Sequence, residues 1–292
     1  MNEIKSIIKH NRSHLSDSSV NTYASNLKNL FYKIFGEIPI NISLFNDTKE
    51  IMKYLENHNP KNRKTILASL FVLTKNPIYQ TQMKKDIDYY NNEVNTQIKD
   101  HKQENYWLTQ EELNNIYLQT KEIADHTYKK KILTMDDKQI IMNYIILSLY
   151  LLIPPRRSTD YIFMKIKNII PQIDNYILNN KFIFNKYKTS KVYGQQIENI
   201  PKELSSILKK WIKINDTDYL LFDQKGKQMT ASKLTHKLNR IFDKKLSTSG
   251  LRHLYLSSKF QNIIKEKEKL EHDLKAMGSS LLQTPVYLKK DK

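Results

Sequence analysis

Asn175–Ile200, NYILNNKFIFNKYKTSKVYGQQIENI, is the stretch on which the architecture turns. Tyr176 to Leu178 and Phe182 to Phe184 are short, aromatic-rich apolar runs separated by Asn179-Asn180. Asparagine tolerates the left-handed backbone that a two-residue hairpin turn demands, so the segment predicts a β-hairpin. Lys186 to Gly194 then loops out, and Gln195 to Ile200 returns as a further strand. No other region reads convincingly as β. The fold class is therefore mainly α with a small β hairpin or sheet.

Working outward, helical periodicity takes over on both sides. Downstream, Pro201 opens a helix with Leu204, Leu208 and Trp211 on one face. A further helix from Thr230 to Phe242 turns Leu234, Leu238 and Ile241 inward and Lys233, Lys237 and Arg240 outward, along a nucleic-acid groove if one is present. Upstream, an apolar helix starts near Asp136-Asp137 and runs to Pro154-Pro155. Those prolines must interrupt it, projecting Arg156 and Arg157 from a buried scaffold. Thr109 to Glu112 forms a capping box ahead of another helix.

The first hundred residues read as a helical bundle. Ser16 or Asp17 caps a helix ended by Gly36, Asn46-Asp47 opens a second, and Pro60 sits in the first turn of a third that ends near Asn76-Pro77. A long fourth helix puts Met83, Ile87, Tyr90, Val94 and Ile98 on one stripe. The polar run DHKQENY, from Asp100 to Tyr106, lacks apolar periodicity and reads as a linker. The expected division is 1–100, a linker over 101–106, and 107–292.

The 292 residues carry 48 Lys and Arg against 30 Asp and Glu, a formal net charge of +18, which points to a polyanionic partner. The absence of cysteine excludes disulfides, thiolate catalysis and cysteine-ligated zinc. Only 5 glycines are present and no phosphate loop, so nucleotide-binding folds are disfavoured. No His-Glu-x-x-His motif or carboxylate cluster for magnesium is seen; no metal, cofactor or nucleotide is expected. The apolar run from Ile140 to Ile153 is too short to span a bilayer and reads as a core helix. With no signal peptide or lipidation signal at the N-terminus, a soluble intracellular protein is expected, located wherever its polyanionic target lies.

Four segments, in order, resemble the tyrosine recombinase (phage integrase) family. Arg157 is followed three residues on by Asp160 and then by Asn168-Ile169, a register that fits Arg157 better than Arg156. Ser249-Gly250-Leu251-Arg252-His253 is similar to the family's His-x-x-Arg-His box. Met277-Gly278-Ser279-Ser280 is similar to its Leu-Gly-His-Ser box, and Tyr287 follows near the end of the chain. The resemblance covers roughly Tyr106 onward, and the preceding helices resemble the family's core-binding domain. Two serines depart from it: Ser249 and Ser279 stand where the family usually has histidine, or histidine or tryptophan. The Ser279-to-Tyr287 interval is also one residue short of the usual spacing.

The resemblance implies a helical DNA core-binding domain followed by a catalytic domain that cuts and rejoins double-stranded DNA through a 3′-phosphotyrosyl intermediate. Tyr287 would be the nucleophile, flanked by Lys289 and Lys290. A phenol with an ordinary pKa of about 10 needs a cationic pocket to react at neutral pH. Arg157 and Arg252 would clamp the phosphate, since a planar guanidinium donates two parallel bonds and stays charged. Lys188, at the hairpin tip, is the first choice to protonate the leaving 5′ oxygen, with Lys191 and Lys186 as contenders. Ser249 and Ser279 would donate hydrogen bonds to phosphate oxygens, but carry no charge. Asp160 would orient an arginine, and His253 either supports the fold or replaces a missing imidazole. The partners implied are duplex DNA and further copies of the chain, normally a tetramer. Two alternatives stand beside a recombinase or integrase: a type IB-like topoisomerase, and a catalytically degenerate DNA-binding protein of the same fold. The Lys-, Asn- and Ile-rich composition suits an AT-rich mobile element or a large DNA virus.

Overall fold

The computed structural model describes residues 1–36 and 38–289. It forms two compact units, Met1–Lys99 and Asp100–Lys292.

The first unit holds α1 (Asn2–Asn11), α2 (Asp17–Phe35), a 3-10 turn at Ile42–Asn46, α3 (Thr48–Leu55), α4 (Pro60–Thr74) and α5 (Pro77–Asn95). Ser16, Asp47, Asn59 and Asn76 each accept a backbone N–H at a helix start, and Pro60 and Pro77 occupy first-turn positions. Helix α4 touches α1, α2 and α5 and buries residues around most of its circumference, as a central helix should. The expected stripe is corrected at its far end: Met83 packs against the core, but Val94 is 53% exposed, and Ile98, 76% exposed, lies past the end of α5. The buried residues of α5 are instead Tyr79 and Asp86; the two Asp86 oxygens accept from Arg63 Nε (2.8 Å) and Nη2 (2.7 Å). A bidentate partner lets this carboxylate sit out of water.

The second unit begins with a correction. The stretch read as a linker is a helix, α6 (His101–Tyr106), with a reciprocal capping box between Asp100 and Gln103. Its six residues are too few to display a period. Its anchors are the cap, the Tyr106 ring packed on the core, and contacts with His253. Then follow α7 (Gln110–Thr127), α8 (Met135–Leu151), α9 (Ser158–Ile162), β1 (Met164–Lys165), β2 (Asn175–Leu178), β3 (Lys181–Phe184), α10 (Ser190–Tyr193) and β4 (Gln196–Asn199). The chain continues with α11 (Lys202–Ile214), α12 (Ala231–Phe242), α13 (Thr248–Lys259), α14 (Gln261–Ala276), a 3-10 turn at Leu281–Gln283 and α15 (Thr284–Tyr287).

Helix α8 forms the centre of this core, with an unbroken buried run from Tyr144 to Tyr150. No described helix is long and apolar enough to cross a membrane. The sheet order is β1-β2-β3-β4, with β1 parallel to β2 and the remaining pairs antiparallel. Leu178 pairs with Lys181 across Asn179 (φ 48°) and Asn180 (φ 61°), the two left-handed residues of the predicted turn. Strand β1 lies outside the expected β region; two residues are too short to leave a pattern. The coarse prediction, a mainly helical chain with one small sheet, agrees with the structure.

Candidate active site

Helix α8 stops at Leu151 because Pro154 and Pro155 cannot continue it, and the chain re-enters helix only at α9. Arg156 and Arg157 occupy the gap. Asn175 fixes the sheet to this turn: its buried amide donates to the Asp160 carbonyl (2.9 Å) and the Lys186 carbonyl (2.8 Å), and its Oδ1 accepts from the Asn185 (2.9 Å) and Lys186 (2.7 Å) N–H groups. Every hydrogen-bonding position of this side chain is satisfied, so the base of the hairpin is held rigidly against α9.

Between them lies a cavity of about 490 Å³, lined by the Pro154–Arg157 turn, Asp160, strands β3 and β4, Tyr187, Thr189, Tyr193 and Arg252 from α13. Arg157 and Arg252 thus meet in one cavity from distant parts of the sequence. Among the described residues, neither guanidinium has a hydrogen-bond or ion-pair partner.

Arg156 differs. Its Nε lies 2.9 Å from Asp160 Oδ2, its Nη2 donates to Gln196 Oε1 at 2.8 Å, and its guanidinium carbon sits 3.9 Å over the Phe184 ring. Asp160 does hold an arginine, but that arginine is Arg156. Glu198, 3.9 Å from Arg156 Nη1, adds a second carboxylate to the wall.

The remaining predicted residues lie outside the lining. Lys188 is exposed on the loop after β3, between Tyr187 and Thr189, which do line it, and Lys191 is exposed on α10. The Tyr187 hydroxyl donates to the Gly194 carbonyl (2.8 Å) and closes this loop. Lys186 sits 4.3 Å over the Phe163 ring. Ser249 is exposed in the first turn of α13. His253 lies outside the lining: its Nδ1 faces Gln103 Nε2 (3.1 Å) and the Tyr106 hydroxyl (3.2 Å), joining α13 to α6.

The Met277–Ser280 box is a helix ending. Gly278 (φ 68°) takes the left-handed position, its N–H donates to the Lys275 carbonyl and the Ser279 N–H to the Leu274 carbonyl. That bonding is the Schellman motif, which explains the glycine without reference to catalysis. The Ser279 hydroxyl is buried without a partner among the described residues. Tyr287 is 56% exposed and does not line the cavity. Lys289 Nζ donates to the Pro285 carbonyl, and Lys290 lies outside the described residues.

Sequence reasoning missed Asn175, Gln196 and Glu198. Asn175 had one signal, a polar residue opening an apolar strand. No family model, curated protein or solved structure matches the chain.

Proposed function

We propose that the chain is a DNA strand transferase of the tyrosine recombinase kind, acting on duplex DNA as a homo-oligomer, a tetramer in the family it resembles. The observation that carries this reading is the convergence of Arg157 and Arg252 in one cavity, with no acceptor for either among the described residues. Two unpaired guanidiniums facing one concave space suit a phosphodiester, whose developing charge must be stabilised by pre-placed donors. The net charge of +18 suits the rest of the duplex.

Tyr287 would attack the phosphorus, forming the 3′-phosphotyrosyl ester and releasing a 5′-hydroxyl. A second 5′-hydroxyl would reverse the step. A lysine of the loop after β3 would supply the leaving-group proton, with Lys188 adjacent to two lining residues. The phenol must first reach the cavity, carried there by its own segment or by that of another copy. Of α14, only Leu274 is buried, and α15 has no buried residue, so few contacts hold the segment where it stands.

The position of Tyr287 also favours a second reading, a DNA-binding protein of this fold without strand transfer. Incubation with a nicked suicide duplex separates the two. A covalent adduct that disappears in Tyr287→Phe supports transfer; tight binding without any adduct supports the inert reading. Relaxation of supercoiled DNA by a monomer would assign the chemistry to a topoisomerase.

A further inference from the structure

A second cavity, of about 300 Å³, lies between α8 and α12 and shares no lining residue with the first. The sequence pattern turned Lys233, Lys237 and Arg240 outward together, yet their situations differ. Lys233 pairs with Asp223. Lys237 reaches across to α8, where its ammonium donates to the Gln139 carbonyl (3.0 Å) and Asn143 Oδ1 (2.7 Å). Both acceptors are neutral. Arg240 stands one turn further along, lines the same cavity, and has no ion-pair partner among the described residues. The lining carboxylate is Asp136, whose Oδ1 accepts from the Gln224 amide at 3.3 Å and pairs with neither cation.

Two like charges one helical turn apart, one largely withdrawn from water, form an unfavourable arrangement by themselves. Burial, and then the charge of Arg240, bring the Lys237 ammonium down to about 8. An anion entering the cavity would relieve both effects. Asn143 accepts through its oxygen and so keeps its amide N–H groups for another acceptor.

We propose that this cavity binds a phosphate group, held by Lys237 and Arg240 with the Asn143 amide as a further donor. The phosphate belongs either to a DNA backbone or to a free anion, since the chemistry is the same. The inference assumes nothing about Arg157, Arg252 or Tyr287, and its failure leaves the strand-transfer reading untouched.

The test is the reactivity of the Lys237 amine in the full chain, measured by acetic anhydride labelling near pH 8 and peptide mass spectrometry. Solvent-facing lysines serve as internal standards. Inorganic phosphate is compared with chloride at matched ionic strength, and a short intact duplex is a separate arm. Selective protection by phosphate identifies a free-anion site; protection by the duplex alone identifies a backbone site. Arg240→Gln, at an exposed position, should raise the half-protecting concentration about tenfold, as expected for losing one charge-assisted bond. No protection in either arm, or protection unchanged in Arg240→Gln, overturns the proposal.

Discussion

Arg156 Nε sits 2.9 Å from Asp160 Oδ2, one turn along the chain, and both side chains are largely buried. Among the described residues the adjacent Arg157 has no such partner, so two neighbouring arginines with the same chemistry have separate duties. Removing Arg156 leaves a buried carboxylate uncompensated; Arg156→Ala should lower unfolding stability by roughly 3 kcal/mol. Arg157→Ala should stay within about 0.5 kcal/mol of the parent, as for surface substitutions. Urea unfolding of both variants checks this. Equal losses would mean that Arg157 also has a structural partner.

If the cavity handles a phosphodiester, Arg157→Ala and Arg252→Ala should each reduce adduct formation on a nicked duplex by about a hundredfold or more. The two arginines would act on one phosphate, so the double variant should fall well short of the product of the single effects. Independent, multiplying losses would place them on different phosphates.

How much of this was legible in the residues depends on how far apart the interacting groups lie. The hairpin could be read because its turn, Asn179-Asn180, and its strands are local. Helix starts could be read because their caps are local too: Ser16, Asp47 and Thr109 all accept the expected N–H. The site was less accessible. Arg156 and Arg157 are identical in type, and only Gln196 and the Phe184 ring, far along the chain, decide which one Asp160 holds. Lys237 was misread as outward because its acceptors lie on α8. Helix α6 was misread as a linker because the groups that anchor it, His253 and Gly250, come about 150 positions later.

That α6 contact gives a prediction of its own. A methyl group at Gly250 would lie 2.5 Å from Leu246 Cδ1 and 3.2 Å from the Tyr106 ring. Gly250→Ala should therefore destabilise by about 1–3 kcal/mol through overpacking, although alanine favours helix. His253→Ala removes the exposed hydrogen bonds and should cost about 1 kcal/mol. Both losses should appear in thermal unfolding, with hydrogen exchange of α6 rising first. His253→Ala with unchanged stability but abolished DNA chemistry would return the histidine to a chemical role.

The start of α8 makes the protein acid-sensitive over a defined range. The Lys130 ammonium, followed by the Thr134 backbone N–H and hydroxyl, lowers the Asp137 carboxyl to about 2. Its unfolded value is near the ordinary 3.8. A carboxylate depressed in the folded state contributes stability that is present above pH 4 and lost as pH falls toward 2. Asp137→Asn should flatten that part of the stability–pH profile and lower the plateau above pH 4. A parallel profile displaced by a constant would show that Asp137 acts through packing alone.

Duplex binding should be steeply salt-dependent, because each phosphate neutralised releases condensed counterions. With about six or more phosphate contacts, affinity should drop about a thousandfold between roughly 50 and 200 mM salt. Arg157→Ala should lower the slope of log affinity against log salt by about one. That readout isolates electrostatic contact from catalysis, since it requires no covalent step and applies equally to an inert DNA-binding protein. An affinity nearly independent of salt in this range would remove DNA as the partner. Arg157 and Arg252 would then need a smaller anion as occupant, tested first with inorganic phosphate.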